Sequence, residues 1–369
     1  MPAITGVEFR QFSANHHNAQ RNWLLVKLNT DDPNVYGIGD ASPMENDDLV
    51  MGMIEAMVAK HLIGKDPLES EVLWTTLYQD FQARGGRIAS TALSGIDIAL
   101  WDLKGKIFGQ PIYKLLGGAW RTALPFYASI GGNGVERKLD DVLHIVEQRM
   151  QDKPAAIKIR FDNARVDLDS DIPDHLEKAR AVRRLVGDDF PLAFDANNGY
   201  STGGAIRVGR VLEDLGYWWF EEPVQHYHIK AMGEVAAKLS ITVSAGEQTY
   251  TTGGLVELIE AGVRMIQPDI VKMGGITGLL RCAALAQAHG VELVSHQTQP
   301  MIGHLANMHV CAAQLHATKP CEWNDPSSRM HAVFDRPPRP IDGLFHLSDA
   351  PGLGIDFIET ELQKRRIDL

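Results

Sequence analysis

Seven polar residues of this chain recur at intervals close to one structural repeat. Lys158, Asp195, Glu221, Glu247, Asp269, His296 and Glu322 are separated by 37, 26, 26, 22, 27 and 26 positions, and each ends a short apolar or β-branched run. A strand, a loop, a helix and a second loop fill about that length, so the seven would stand at the C-terminal ends of successive parallel strands. One aspartate in such a place would read as a helix cap or turn residue; seven in register ask for another account. Asp195, Glu221 and Glu247 would converge from adjacent strands, where carboxylates about 4 Å apart repel by roughly 4 kcal/mol per pair at an effective dielectric of about 20. A bound dication would neutralise them, and hard oxygen donors without His or Cys point to Mg2+, with Mn2+ as the alternative. Protonation or pairing with a lysine is the competing way to neutralise them. Asp269 and His296 follow as a carboxylate–imidazole dyad suited to general base work. Lys158 and Arg160 share a strand face; Arg160 keeps its proton and serves as a fixed cation or donor rather than a base. Glu222 neighbours Glu221, but strand alternation turns it away, so it is not expected to be a ligand.

The elements that must position these groups form two patterns. Short alternating runs at Ile4 to Phe12, Trp23 to Leu28 and Val35 to Gly39 predict an antiparallel meander, and apolar residues at three and four spacings predict helices at Leu49 to Leu62, Glu69 to Phe81 and Ile88 to Phe108. Residues 1–120 are therefore expected to form an α+β domain. From Leu124 onward, eight short runs alternate with helical stretches such as Asp171 to Val186 and Thr277 to His289. That rhythm matches a parallel barrel over 121–325, with a doubly wound open sheet as the alternative. The segment 326–369 is expected to pack back on the first domain.

Composition narrows the function classes. With 369 residues, 44% hydrophobic and 22% charged, the chain suits a globular protein of more than one core. A net charge of −11 argues against a nucleic-acid partner. No apolar run suits a membrane span, and the N-terminus lacks a signal-like pattern, so no membrane association and a cytoplasmic location are expected. Cys282, Cys311 and Cys321 lack CxxC spacing and read as buried thiols. Gly37-Ile-Gly39-Asp-Ala-Ser42 lacks the third glycine of a dinucleotide fingerprint, and no GxxxxGK[ST], HExxH or GxSxG occurs. Gly274-Gly275-Ile-Thr-Gly278 could bind a phosphate at a helix start or be a structural turn.

In order, KIR, DANNGY, FEEP, AGE, QPDIVKMGGITG, SH and CEW, preceded by ALSGIDIALWDLKGK, resemble the mandelate racemase subgroup of the enolase superfamily across nearly the whole chain. The resemblance implies a (β/α)7β modified TIM barrel under an α+β N-terminal capping domain completed by the C-terminal tail. It also implies Mg2+ on Asp195, Glu221 and Glu247, and removal of the proton α to a carboxylate by the Asp269/His296 dyad; this superfamily is itself a standard example of a Lys or His base working with Mg2+. By the same resemblance, Lys158 helps neutralise the substrate carboxylate, Asn197 contacts it beside the metal, and Glu322 donates to it, which requires a protonated carboxyl. Segments 13–21 and 40–48, with His17, Asn18, Arg21 and Glu45, match loops that close over the substrate and suit a hydroxylated sugar acid. The sequence departs from the racemase at Arg160, where the racemase carries the second lysine of Lys-x-Lys. Racemisation needs an acid and a base on opposite faces, whereas β-elimination can use one base, so a dehydratase giving a 2-keto-3-deoxy acid is expected. A racemase, epimerase or cycloisomerase is the alternative, and a catalytically silent carboxylate-binding barrel the different-class rival. A homo-oligomer is expected from the resemblance alone.

Overall fold

The computed structural model describes residues 2–16, 19–42, 46–131, 138–160, 166–299, 301–324 and 328–365. Strands β1 (Ile4–His16), β2 (Ala19–Thr30) and β3 (Tyr36–Asp40) form the antiparallel meander, with Phe12 opposite Trp23 and Val26 opposite Gly39. Helix α1 (Asp47–Met57) runs into a π-helical turn at Val58–Leu62. The two helices expected at 69–81 and 88–108 are one, α2 (Ser70–Phe108), bent at Gly86, whose φ of 51° and ψ of −127° leave the helical region. A glycine permits that bend without a Cβ penalty, which is why the apolar pattern breaks there while the helix continues.

The meander lies on α2 because its glycines allow it. A Cβ at Gly37 would sit 2.0 Å from the Ala99 carbonyl oxygen, and one at Gly39 would sit 2.0 Å from that of Gly95. The glycines that might have suggested nucleotide binding thus serve close backbone packing, beside a core of Leu24, Val26, Ile54, Leu77, Ile96 and Leu100.

After α3 (Ile112–Leu115), strands alternate with helices: β4 (Ala123–Gly131), α4 (Leu139–Met150), β5 (Ala156–Arg160), α5 (Ile172–Val186), β6 (Leu192–Asp195), α6 (Thr202–Asp214), β7 (Trp219–Glu221), α7 (Ile229–Lys238), β8 (Thr242–Ala245), α8 (Thr252–Ala261), β9 (Met265–Ile266), α9 (Gly275–His289), β10 (Glu292–Leu293), α10 (Ile302–Ala313) and β11 (Cys321–Trp323). All pairings along the path β10-β9-β8-β7-β6-β5-β4-β11 are parallel. At the two ends of the path, the Gln297 N–H donates to Glu322 Oε2 at 2.9 Å and Asn324 donates to the Gln297 carbonyl. This is the (β/α)7β modified barrel beneath an α+β cap, and the open-sheet alternative is discarded.

The tail comprises α11 (Ser328–His331), β12 (Leu344–His346) and α12 (Glu359–Gln363). It touches the cap, where Arg10 Nε donates to both oxygens of Glu359 at 3.0 Å and the Tyr36 hydroxyl donates to Asp356 at 2.9 Å. It also pairs β12 antiparallel with β4, a contact not expected from the sequence, because Phe345 buries its ring against Phe126 and Trp323. All three cysteines are free and buried, as expected. Among the described residues no helix is long and apolar enough to cross a membrane.

Candidate active site

The barrel interior explains how spaced polar residues come together. Tyr127, Ala156, Ala193, Trp219, Met265 and Val294 pack as one inner layer. Two residues further along their strands stand Lys158, Asp195, Glu221, Gln267 and His296, which alternation turns to the same interior. Glu247 is the exception. Val243 and Ala245 face the outer core, so strict alternation would send Glu247 outward too. Gly246, at φ 132°, breaks the alternation and lets Glu247 enter the interior.

Asp195, Glu221 and Glu247 each bring an oxygen within 4.8 Å of the others', and all three are buried. Among the described residues this is the group of His, Cys, Asp and Glu side chains able to hold a metal ion; Glu222 is outside it. Strand β7 ends at Glu221, and Glu222, at φ 37°, accepts instead from the Asn198 amide. Asp195 Oδ1 accepts from the Asn197 N–H at 2.8 Å, whereas Oδ2 has no hydrogen-bond partner and Lys158 Nζ stays 3.9 Å from it. A buried, unpartnered carboxylate oxygen beside two more acids fits a hard divalent cation. Burial, then the Glu221 charge, push the Asp195 carboxyl up to about 8 against the pull of Lys158.

Lys158 anchors the opposite side. Its Nζ donates to Glu221 at 2.7 Å and lies 3.0 Å from Glu322. Burial opposes its charge, but Glu221 and Glu322 outweigh it and hold the ammonium protonated. Arg160 stands opposite Asp195 in the strand register, and its charge lowers that carboxyl's pKa. The surroundings of Glu322 favour its charged form over the protonated one that the resemblance implies. Burial raises its pKa, yet Lys158, His296 and the Gln297 N–H outweigh it and bring it to about 2.

Asp269 and His296 form the dyad. Their backbones meet in a parallel bridge, and His296 Nδ1 lies 2.8 Å from Asp269 Oδ2. Asp269 Oδ1 accepts from the Val271 N–H at 2.8 Å, which fixes the carboxylate. The other ring nitrogen, Nε2, points into the site, 2.9 Å from Glu247 Oε2. Burial disfavours the imidazolium, but Glu247 and the Asp269 hydrogen bond outweigh it and raise the His296 pKa well above the usual value.

Several groups escaped the sequence reading. Gln267 Nε2 and Trp219 Nε1 donate to Glu221 Oε2 at 2.7 and 3.1 Å. Both lie two residues before an assigned acid, so the same alternation would have found them. Lys272 Nζ donates to the Glu247 carbonyl at 2.9 Å and lies 3.9 Å from Asp269 Oδ2; the turn after Asp269 gave no such signal. Asn197 is buried beside Asp195, and its backbone makes the contact to that carboxylate. His17, Asn18 and Glu45 lie outside the described residues, and Arg21 is half-buried on β2. The Gly274-Gly275 segment is a structural turn with φ of 88° and 75°. The helix N-terminus that a phosphate would need is taken by the carboxylate of Asp97, which accepts the Thr277 N–H at 2.9 Å.

Comparison with known proteins agrees with this arrangement. The enolase C-terminal domain-like family matches residues 141–361, and the mandelate racemase/muconate lactonizing enzyme N-terminal domain matches residues 10–117. The chain is 33% identical to D-galactarolactone cycloisomerase of Agrobacterium fabrum, covering 96% of this chain and 94% of that one. It is 31% identical to arabinonate dehydratase of Saccharolobus solfataricus over 90% and 87% of the two chains. A mandelate racemase/muconate lactonizing protein of Paracoccus denitrificans, solved in complex with magnesium, is 54% identical over 99% of this chain and 97% of that one, with a TM-score of 0.94. Barrel, cap, interior acids and both family matches together make this chain a member of the mandelate racemase subgroup of the enolase superfamily.

Proposed function

We propose that the protein is a Mg2+-dependent dehydratase of a hydroxylated sugar acid. The observation that carries this reading is the His296–Asp269 pair, 2.8 Å apart, facing a buried acidic triad that Lys158 contacts at Glu221. A divalent ion on Asp195, Glu221 and Glu247 would supply positive charge to hold the substrate carboxylate and offset the negative charge that develops as the α-proton leaves. Lys158, a buried cation, takes the other side of that carboxylate. Asp269 accepts the Nδ1 proton and fixes the tautomer, and Nε2 would become the base once Glu247, whose charge holds the imidazole protonated, is bound to the divalent ion. His296 removes the α-proton, and the resulting imidazolium returns a proton to the β-hydroxyl, which departs as water. The enol product tautomerises to a 2-keto-3-deoxy acid. Arg160 stands where a second basic lysine would serve two-base racemisation, and its permanent charge favours the one-base course.

The cycloisomerase among the relatives supports a second reading: the same proton abstraction with a ring oxygen as leaving group, giving an isomer instead of losing water. Incubation with Mg2+ in D2O and a panel of galactonate, arabinonate, galactarate and galactarolactone separates the cases. Dehydration yields a ketone that has lost one water and carries solvent deuterium at C3, isomerisation yields a product that has gained one deuterium and lost no water, and a silent barrel neither converts the substrate nor exchanges its α-proton. His296→Asn is expected to lower α-exchange by about 10²- to 10⁴-fold while leaving Mg2+ binding intact. Full turnover in that variant would refute the dyad.

A further inference from the structure

Helix α9 begins just after the turn that carries Asp269, and it has no capping side chain of its own, because its N-cap is Gly274. The first turn of a helix leaves N–H groups that need acceptors, and here they come from α2 of the capping domain. Asp97 Oδ2 accepts the Thr277 N–H at 2.9 Å and Oδ1 accepts the Thr277 hydroxyl at 2.6 Å. Trp101 Nε1 donates to the same hydroxyl at 2.9 Å. Just before the helix, Gly274 donates its N–H to Ser94 Oγ at 2.9 Å, and its carbonyl accepts from Trp74 Nε1 at 2.7 Å. Asp97 and Ser94 are fully buried, and a Cβ at Gly275 would lie 2.5 Å from Asp97 Oδ2.

The turn between is short and closed. The Asp269 carbonyl accepts from the N–H groups of Lys272 and Met273 at 3.0 and 2.9 Å, and Gly275 N–H donates to the Ile270 carbonyl at 3.0 Å. A shift at Thr277 or Gly274 therefore passes through few residues to the carboxylate that orients His296.

We propose that Asp97, on the capping-domain helix, is a positioning residue for the acid–base dyad: it caps α9 across the domain interface and so fixes the turn that presents Asp269 to His296. The inference rests on the dyad reading above. It gives the capping domain a task in setting the aim of the base.

The test compares wild type, Asp97→Ala, Asp97→Asn and His296→Asn as full-length, Mg2+-loaded protein. Asn can keep both contacts to Thr277, with its oxygen on the N–H and its amide on the hydroxyl oxygen. In Asp97→Ala, amide hydrogen exchange is expected to rise in 269–278 and not in 241–247, and Mg2+ affinity to stay unchanged. With galactonate, arabinonate and galactarate as probes, kcat is expected to fall about tenfold to a hundredfold with KM nearly constant, and Asp97→Asn to restore most of it. Unchanged exchange in 269–278, or loosening shared with 241–247 and with Mg2+ binding, would overturn the proposal. So would full kcat in Asp97→Ala beside an inactive His296→Asn. An active His296→Asn would instead defeat the dyad reading, and hydrogen exchange would still judge the cap. If Asp97→Ala does not fold, Ser94→Ala and Trp74→Phe each remove one anchor of Gly274 and face the same criteria.

Discussion

The acidic triad makes the metal-free protein sensitive to pH in a direction that can be worked out from Asp195. Its carboxyl lies within 4.8 Å of two other acids, a distance at which each pair repels by roughly 3.5 kcal/mol at an effective dielectric of about 20. Burial and that repulsion push its pKa up to about 8, against about 3.9 in an unfolded chain. Between those values the folded state holds a proton that the unfolded state has lost, so folding stability falls as pH rises across the window. The slope is about 1.4 kcal/mol per pH unit, up to about 6 kcal/mol in all. Asp195→Asn removes the ionisation, so the difference in stability between wild type and variant should carry this slope when urea unfolding is measured in EDTA from pH 5 to 8. Saturating Mg2+ should flatten the wild-type slope, because binding needs the carboxylate, and should leave the variant little stabilised. Parallel wild-type and variant curves in EDTA would refute the reasoning, as would equal stabilisation of both by Mg2+.

Two further outcomes follow from groups remote from the triad. Burial lowers the His175 pKa to about 4, so this residue resists protonation when folded and not when unfolded. Stability should therefore fall as pH drops from about 6.5 to about 4, by about 3 kcal/mol in total, and His175→Gln should lack that component in the same unfolding series. Gly39→Ala would place a methyl 2.0 Å from the Gly95 carbonyl oxygen and should destabilise the fold by about 3 kcal/mol, read as a lowered thermal midpoint.

Much of the site is legible in the chain because barrel geometry turns a sequence interval into a spatial register. Strand ends recurring every 22 to 37 residues place Lys158, Asp195, Glu221, Asp269, His296 and Glu322 around one mouth, and alternation by two then decides which side chains face inward. The same rule, applied one step lower, reaches Gln267 and Trp219. It does not reach Glu247, whose inward turn depends on the positive φ of Gly246; its place could be read only from the spacing and the resemblance. Helix α2 shows the complementary limit: Gly85-Gly86 interrupts the apolar period, but the helix continues through a bend, where Gly85 packs close to Met53 of α1.

The sequence by itself determined the alternation of strands and helices and the acids and the dyad that share the barrel mouth, since these follow from local periodicity and spacing, while the order of its motifs carried the resemblance to the family. Only the tertiary structure decided which charges face one another in the site and which side chain caps α9. Lys158, 3.0 Å away, holds the Glu322 pKa down, and α9 is capped by Asp97 from α2. Charge and hydrogen bonding act through distances between segments remote along the chain, and no pattern within either segment encodes them.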